Sequence, residues 1–414
     1  MEVLKLKPRS EPIDCSITVP GSKSVSNRAL ICAALSAKAP KLENISPSDD
    51  TRLLAMALWK LQASKKDELT VIDSGTAGTV MRLLIPDCAF TKEGVTNLVG
   101  SKRMHERPIG DLVVAMQQLG AQIEYLGTQG CPPLKITGQE LSVEKIKIEI
   151  DGSTSSQFVT AAMLTLPFCA SEVEIKIKGS IASRSYLDIT KQMLAQFQIE
   201  SKMTESCISL KKIEGKLPEQ IWIEPDASGA TYFWGAAAVS AGRIRVGGFE
   251  ADSSQADTKF TNVLEQMGCE LTTGFDQVEK KWFEIVGPSQ LNAIEVDMSL
   301  MPDAIQTLAV VASFATGVTK ISGIETLRVK ETDRVAAILT ELDKVGISAW
   351  EKDNSLFIEG GAPKSAKIAT YHDHRMAMAF SLLAAGGVEV EIEEPKVVSK
   401  SFPSFWHLAL NFVQ

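Results

Sequence analysis

The feature that most constrains the fold of this 414-residue chain is a stretch that occurs six times. Its first copy, GSKSVSNRALICAALSAKAPKLENIS from Gly21 to Ser46, opens on small polar residues, continues as an apolar helix rich in Ala and Leu, and breaks into a strand-like tail. The pattern returns from Ser74, Asp151, Asp226, Met301 and His372. A period of this kind predicts repeated supersecondary units, none of which can bury its apolar face alone, so neighbours stack to close a core. Each copy begins where a helix exposes unpaired N–H groups and the positive end of its dipole, a place suited to anions. Ser, Thr, Asp and Gly are also ordinary helix caps, and one copy alone implies nothing more. Basic residues beside these starts, Lys23, Arg28, Arg82 and Arg375, favour the anion-binding reading.

Length predicts two domains at roughly 100 to 200 residues each. No linker interrupts the chain, so the repeat count sets the boundary: three copies before about Ile223 and three after. Helices are expected at about Ser24–Ser36, Ser48–Leu61, up to Phe197, from Asp226, Thr258–Met267, from Pro302, Thr332–Val345 and finally from Asp373. Strands are expected at Leu69–Asp73 and Ile146–Ile150, with strand pairs ending near Ile223, Val286 and Ile358. With 43 basic against 51 acidic residues the formal charge is −8, which argues against nucleic acid or an anionic membrane as partner and requires any anion site to be a local gathering of Lys and Arg. Seven scattered cysteines without a C-x-x-C pair point to free thiols in a reducing compartment. Without a signal-like leader or an apolar run of roughly 18 residues, the expectation is a cytoplasmic protein.

The densest charged stretch is LRVKETDR, Leu327 to Arg334. Lys330 and Arg334 are four apart, so a helix there puts them on one face, with Glu331 or Thr332 as cap. In HDHR, His372 to Arg375, the H-x-H spacing suggests metal, but no cluster of further ligands supports it. Asp303 follows Pro302 at a helix start and reads either as a capping acid or as a carboxylate able to take a proton from a hydroxyl. Arg103, His105 and Arg107 share a basic loop, and Lys400 precedes a turn at Pro403.

Taken together, GSKSVSNRAL, GTVMRLL, ERPIGDL, GSTSSQF, LRVKETDR, DHRMAMA and SKSFP resemble the 5-enolpyruvylshikimate-3-phosphate synthase family of enolpyruvyl transferases, in the family's order from Pro20 to Pro403. The resemblance implies an α/β fold of two lobes, each built from three βαβαββ repeats (an inside-out α/β barrel). One lobe would span residues 21–223 and the other residues 1–20 with 224–414. It implies that Lys23, Ser24, Arg28, Ser155, Ser156, Gln157, Ser183, Tyr186, Asp303, Thr326 and Lys330 hold shikimate 3-phosphate. Lys23, Gly78, Arg82, Arg103, Gln157, Arg334, Arg375 and Lys400 would surround phosphoenolpyruvate. Asp303, Glu331 and Lys23 are the implied proton-transfer groups. Thr76 and Thr326 depart from the Asn common at each position, which removes two amide hydrogen bonds from the expectation.

The implied reaction moves the enolpyruvyl group onto the 5-hydroxyl of shikimate 3-phosphate by addition and elimination. It needs neither metal nor organic cofactor, and a monomer is expected. Each substrate brings a phosphate and a carboxylate, which explains a demand for several fixed cations and for Arg forks in particular. A sister family that transfers the same group to UDP-N-acetylglucosamine fits less well, because its reactive Cys loop has no counterpart in SKRMHERPIG. A non-catalytic anion binder would not need Asp303 and Glu331 beside its cations.

Overall fold

Helices that open the repeats are buried around most of their circumference. The computed structural model describes residues 2–8, 13–278 and 280–414. The helices Gly78–Phe90, Ser156–Cys169, Ala227–Ser240, Ile305–Ala312 and His374–Phe380 bury nearly every residue, whereas strands such as Val143–Asp151 alternate exposed and buried positions. A helix that is apolar all round belongs inside, and a sheet with one polar face belongs outside. The small residues of these helices (Ala, Gly, Ser, Thr) allow the close approach that helix-on-helix packing in a core requires.

The chain folds into two compact units, Met1–Ser22 with Glu224–Gln414, and Lys23–Ile223. Each has its own apolar core. The first is built around Phe233, Trp234, Phe380 and Phe405. The second centres on Phe90, Phe158, Leu164 and Leu187.

In the unit Lys23–Ile223, strands Leu69–Asp73, Gly94–Val99, Leu134–Gly138 and Gln122–Tyr125 lie side by side in that order, the first pair parallel and the others antiparallel. Val143–Asp151, Ala170–Lys178, Cys207–Lys212 and Ile199–Met203 repeat the arrangement. A reduced third repeat pairs Gln220–Trp222 parallel with Lys41–Glu43, and carries the helices Lys23–Leu35 and Asp49–Ala63. Residues up to Ile223 therefore do not all form a hairpin, as the sequence suggested: the last strand leaves its neighbours to close this repeat.

The other unit shows the same topology in Asp14–Ile17, Arg243–Phe249, Lys281–Val286 and Glu270–Phe275, and again in Glu295–Asp297, Val318–Ser322, Ser355–Glu359 and Ala349–Lys352. Its third sheet is Ala366–Ile368, Val390–Glu393 and the N-terminal Val3–Leu6. The chain leaves this unit at Ser22 and returns at Glu224. The two passages are stitched together by the Ser22 amide on the Glu224 carbonyl at 2.8 Å and the Asp226 amide on the Pro20 carbonyl at 2.9 Å. No helix among the described residues is long and apolar enough to cross a membrane. All seven cysteines are free thiols.

Candidate active site

Three cations and three carboxylates meet in the unit formed by Met1–Ser22 and Glu224–Gln414. Arg334 opens the helix Arg334–Lys344, whose N-cap Asp333 accepts from the Ala336 amide at 3.1 Å. Its buried guanidinium donates to Asp373 at 2.7 Å, Asp303 at 2.9 Å and Glu331 at 3.0 Å. The other oxygen of Asp303 accepts from Arg375 at 2.7 Å, and Glu331 lies 3.6 Å from the Lys400 ammonium. Burial opposes the charge of Arg334, but the carboxylates of Asp373, Glu331 and Asp303 outweigh it and hold its pKa above the usual value. Arg334, Arg375 and Lys400 against Asp303, Glu331 and Asp373 leave the cluster formally neutral.

Separate turns deliver these groups. Asp303 sits in the 3₁₀ turn Pro302–Ala304, Lys400 ends the 3₁₀ helix Pro395–Lys400, and Asp373 caps His374–Phe380 by accepting from the Arg375 amide at 2.9 Å. The loop before Asp373 holds two successive left-handed residues, Tyr371 at φ 54° and His372 at φ 56°. Such non-glycine conformations persist only where the surroundings fix them. Here buried Glu341 accepts from the Tyr371 hydroxyl at 2.5 Å and the Ala369 amide at 3.1 Å, while Glu394, itself left-handed, meets His372 at 3.0 Å. The His372 ring is largely exposed and that of His374 buried, so the H-x-H spacing does not bring two imidazoles to one place.

Behind Arg375 stand two groups that the sequence did not single out. The Tyr232 hydroxyl accepts from Arg375 at 3.2 Å, and burial pushes its pKa to about 12. Asp257 accepts from the Ser228 hydroxyl at 3.0 Å, and its other oxygen is buried with no hydrogen-bond partner among the described residues. Burial, then the charge of Asp303, raises the Asp257 carboxyl to about 7.

One expectation fails here. Lys330 is not on a helix with Arg334: it ends the 3₁₀ turn Glu325–Val329, which contains Thr326, in an extended conformation, and Asp333 rather than Glu331 or Thr332 is the cap. The Asp333 carboxylate breaks the run because it competes for the first helical amides.

In the unit Lys23–Ile223, a second polar group gathers at the start of Gly78–Phe90. Arg82, buried one turn into the helix, donates to Gln157 at 2.7 Å and to the Pro108 carbonyl at 3.3 Å, and Gln157 donates to Thr79 at 3.0 Å. Ser155 caps the helix Ser156–Cys169 by accepting from the Gln157 amide at 3.3 Å. The Arg107 guanidinium lies over Gly78, so close that a methyl group there would meet it at 2.5 to 2.9 Å. Arg107 is buried, and its Nε has no hydrogen-bond partner among the described residues. Arg103, the residue expected from the sequence, is instead 43% exposed and paired with Glu106 at 3.0 Å. The signal for Arg107 was Pro108: a residue before proline is held extended, and Arg107 at φ −85°, ψ 134° leaves the 3₁₀ turn Met104–Glu106 accordingly.

Lys23 begins the helix Lys23–Leu35 and meets the buried Asp50 at 3.3 Å. Arg28 donates to the Thr190 hydroxyl and the Ser24 carbonyl at 2.8 Å and to the Tyr186 carbonyl at 3.1 Å, which ties this helix to Ser185–Gln196, and burial lowers its pKa to about 10. Ser183 is left-handed at φ 53°, just before that second helix.

A family described as EPSP synthase (3-phosphoshikimate 1-carboxyvinyltransferase) matches residues 8–408. The chain belongs to this family. It is 42% identical to the 3-phosphoshikimate 1-carboxyvinyltransferase of Psychromonas ingrahamii and 41% identical to that of Aliivibrio fischeri, each match covering 98% of both chains. Its fold is similar to that of an EPSP synthase from Acinetobacter baumannii, with a TM-score of 0.81 at 23% identity over 100% of this chain and 99% of that one. The enolpyruvyl transferase NikO from Streptomyces tendae follows at a TM-score of 0.71 and 15% identity, covering 100% of this chain and 98% of that one. The two-lobed enolpyruvyl transferase fold expected from the sequence is the fold of this chain.

Proposed function

We propose that this chain transfers the enolpyruvyl group of phosphoenolpyruvate to the 5-hydroxyl of shikimate 3-phosphate and releases phosphate, a step toward chorismate and the aromatic amino acids. The observation that carries this reading is the neutral cluster of Asp303, Glu331 and Asp373 with Arg334, Arg375 and Lys400. Buried guanidinium groups need counter-charges, and here carboxylates supply them. An anionic substrate on Arg375 and Lys400 would replace those carboxylates as partner and add negative charge. Asp303, released from one arginine, becomes the stronger base, and Glu331 becomes easier to protonate. Asp303 then takes the 5-hydroxyl proton as the oxygen bonds to C2 of phosphoenolpyruvate, and Glu331 delivers a proton to C3. In the second stage C3 returns a proton, the double bond re-forms and phosphate leaves.

Within the other unit, the reading assigns Ser24, Ser155, Ser156, Gln157, Ser183 and Tyr186 to shikimate 3-phosphate, with Arg28 as a residue that fixes the helix carrying Ser24. In the other lobe, Thr326 and Lys330 are assigned to the same substrate. Lys23, Arg82 and Arg107 are assigned to phosphoenolpyruvate, with Arg107 in the place given to Arg103 on sequence grounds and Lys23 as the second candidate acid. The free thiols support a reducing, cytoplasmic setting, and a monomer is assigned.

A phosphate-release assay tests the reading. Release is expected only when both substrates are present, and Asp303→Asn should lower kcat by about 10² or more while KM for phosphoenolpyruvate does not rise, because the variant removes a negative charge from an anion site. Failure to release phosphate with this pair, or release with UDP-N-acetylglucosamine instead, would overturn it.

A further inference from the structure

A cavity that this chemistry does not use lies in the unit Lys23–Ile223, at the end of the helix Gly78–Phe90 remote from Gly78, roughly 15 Å along its axis. Its volume is about 350 Å³, within the range of small-molecule pockets, and it opens to solvent on one side. Leu58, Leu61, Phe90 and Phe168 supply the apolar part of its wall, and exposed Glu93 and Glu140 stand among the polar lining residues. Four helices, Lys23–Leu35, Asp49–Ala63, Gly78–Phe90 and Ser156–Cys169, end around it and turn the negative ends of their dipoles toward it.

The decisive group is Asp87. It is only 4% exposed. One carboxylate oxygen accepts from the Thr91 hydroxyl at 2.5 Å, and the other accepts no hydrogen bond among the described residues. No cation among those residues answers it. Lys92, in the same wall, points its ammonium at main-chain carbonyls instead: Leu61 at 3.1 Å, Gln62 at 3.0 Å, and Ser64. Burial, opposed only by the Thr91 hydroxyl, pushes the Asp87 carboxyl to about 6. The neighbouring Cys88 and Cys169 are raised well above the ordinary thiol range by burial, and so remain neutral wall.

We propose that this cavity binds a small organic cation, an amine whose ammonium group reaches the open oxygen of Asp87 and whose apolar body rests on Leu58, Leu61, Phe90 and Phe168. The acidic lining and the helix ends disfavour an anion of the same shape. The site is separate from the groups assigned to substrate, so its test does not depend on that assignment.

The thermal midpoint of the full chain would be measured with 2-phenylethylamine, and with phenylacetate as the anionic counterpart. At saturation the amine is expected to raise the midpoint by about 2 °C or more, and phenylacetate is expected to leave it unchanged. Asp87→Asn, nearly isosteric, should weaken amine binding at least about tenfold by loss of a charge-assisted bond. Should that variant fail to fold, Ala34→Phe fills the cavity from its edge and should abolish the response while leaving the carboxyl in place. An amine without effect on the natural chain, an equal effect of phenylacetate, or an undiminished response in the folded variant would overturn the proposal.

Discussion

Gly78 and Arg107 act as one unit at the residue scale. Ala is the better helix former, so Gly78→Ala is not expected to weaken the helix. The added methyl instead meets the Arg107 guanidinium, the movable end of a long side chain, and drives it aside. KM for phosphoenolpyruvate should rise about tenfold, the equivalent of one charge-assisted hydrogen bond, with kcat less affected. A lowered melting midpoint with unchanged KM would mark Gly78 as purely structural. Asp257 makes a different prediction. Its carboxyl holds a proton up to about pH 7 in the folded chain, against 3.8 ordinarily. The folded form thus binds protons more tightly than the unfolded one, so the associated stability is full below about pH 4 and is lost as pH rises through about 7. Asp257→Asn should flatten that decline, with a gain over the natural chain at pH 8 of at most about 4 kcal/mol, measured by urea unfolding at pH 5 and pH 8. An identical pH dependence in both proteins would show that Asp257 ionises normally. Of these residues only Gly78 was given a role on sequence grounds, and Arg107 was noted there only as part of a basic loop. Asp257 looked like any surface acid in SSQADTKF, because what distinguishes it is burial beside Asp303, which no local pattern encodes.

At the scale of elements, the loop Ala369–Asp373 is a rigid mount rather than a flexible connector. Glu341 grips it from behind through Tyr371 and the Ala369 amide, and Lys344 completes the carboxylate's partners at 2.8 Å. Tyr371→Phe removes one donor from a buried charge, which should cost about 1.5 to 3 kcal/mol, and loosens two left-handed residues directly before Asp373. A rise in KM for phosphoenolpyruvate should accompany the loss of stability. Loss of stability with unaltered kinetics would confine Glu341 to a packing role. Periodicity located most helices and strands because amphipathic or wholly apolar runs are written into the chain itself. It placed Asp49–Ala63 behind its Ser48 cap and found Leu69–Asp73 outright. It missed what depends on backbone conformation: the 3₁₀ turns at Ala256–Lys259 and Pro302–Ala304 that precede shortened helices, and the short Phe405–Ala409 after the helix expected to be last. The six-fold recurrence thus revealed where the buried helices of the repeats begin. The 3₁₀ turns that aim Asp303 and Lys400 left no such trace.

At the scale of the whole molecule, one unit is continuous in sequence and the other is not. Lys23–Ile223 possesses all its strands and its own core once residue 223 exists. The strand Val3–Leu6, by contrast, pairs among the described residues with Val390–Glu393, close to 390 residues away. On a ribosome adding about 5 to 20 residues per second, those partners appear roughly 10 to 30 s after the continuous unit is complete. The continuous unit should therefore fold during synthesis while the first strand waits. Nascent chains arrested soon after Ile223 has emerged should yield a protease-resistant Lys23–Ile223 core with residues 3–22 still cleavable; resistance that arises only at full length would refute this order. For that interval the strand is an open edge that other nascent chains could pair with. Lys5 and Lys7, which alternate with its apolar residues, then serve as charged guards for the growing chain long before Lys5 meets Glu391 in the finished sheet.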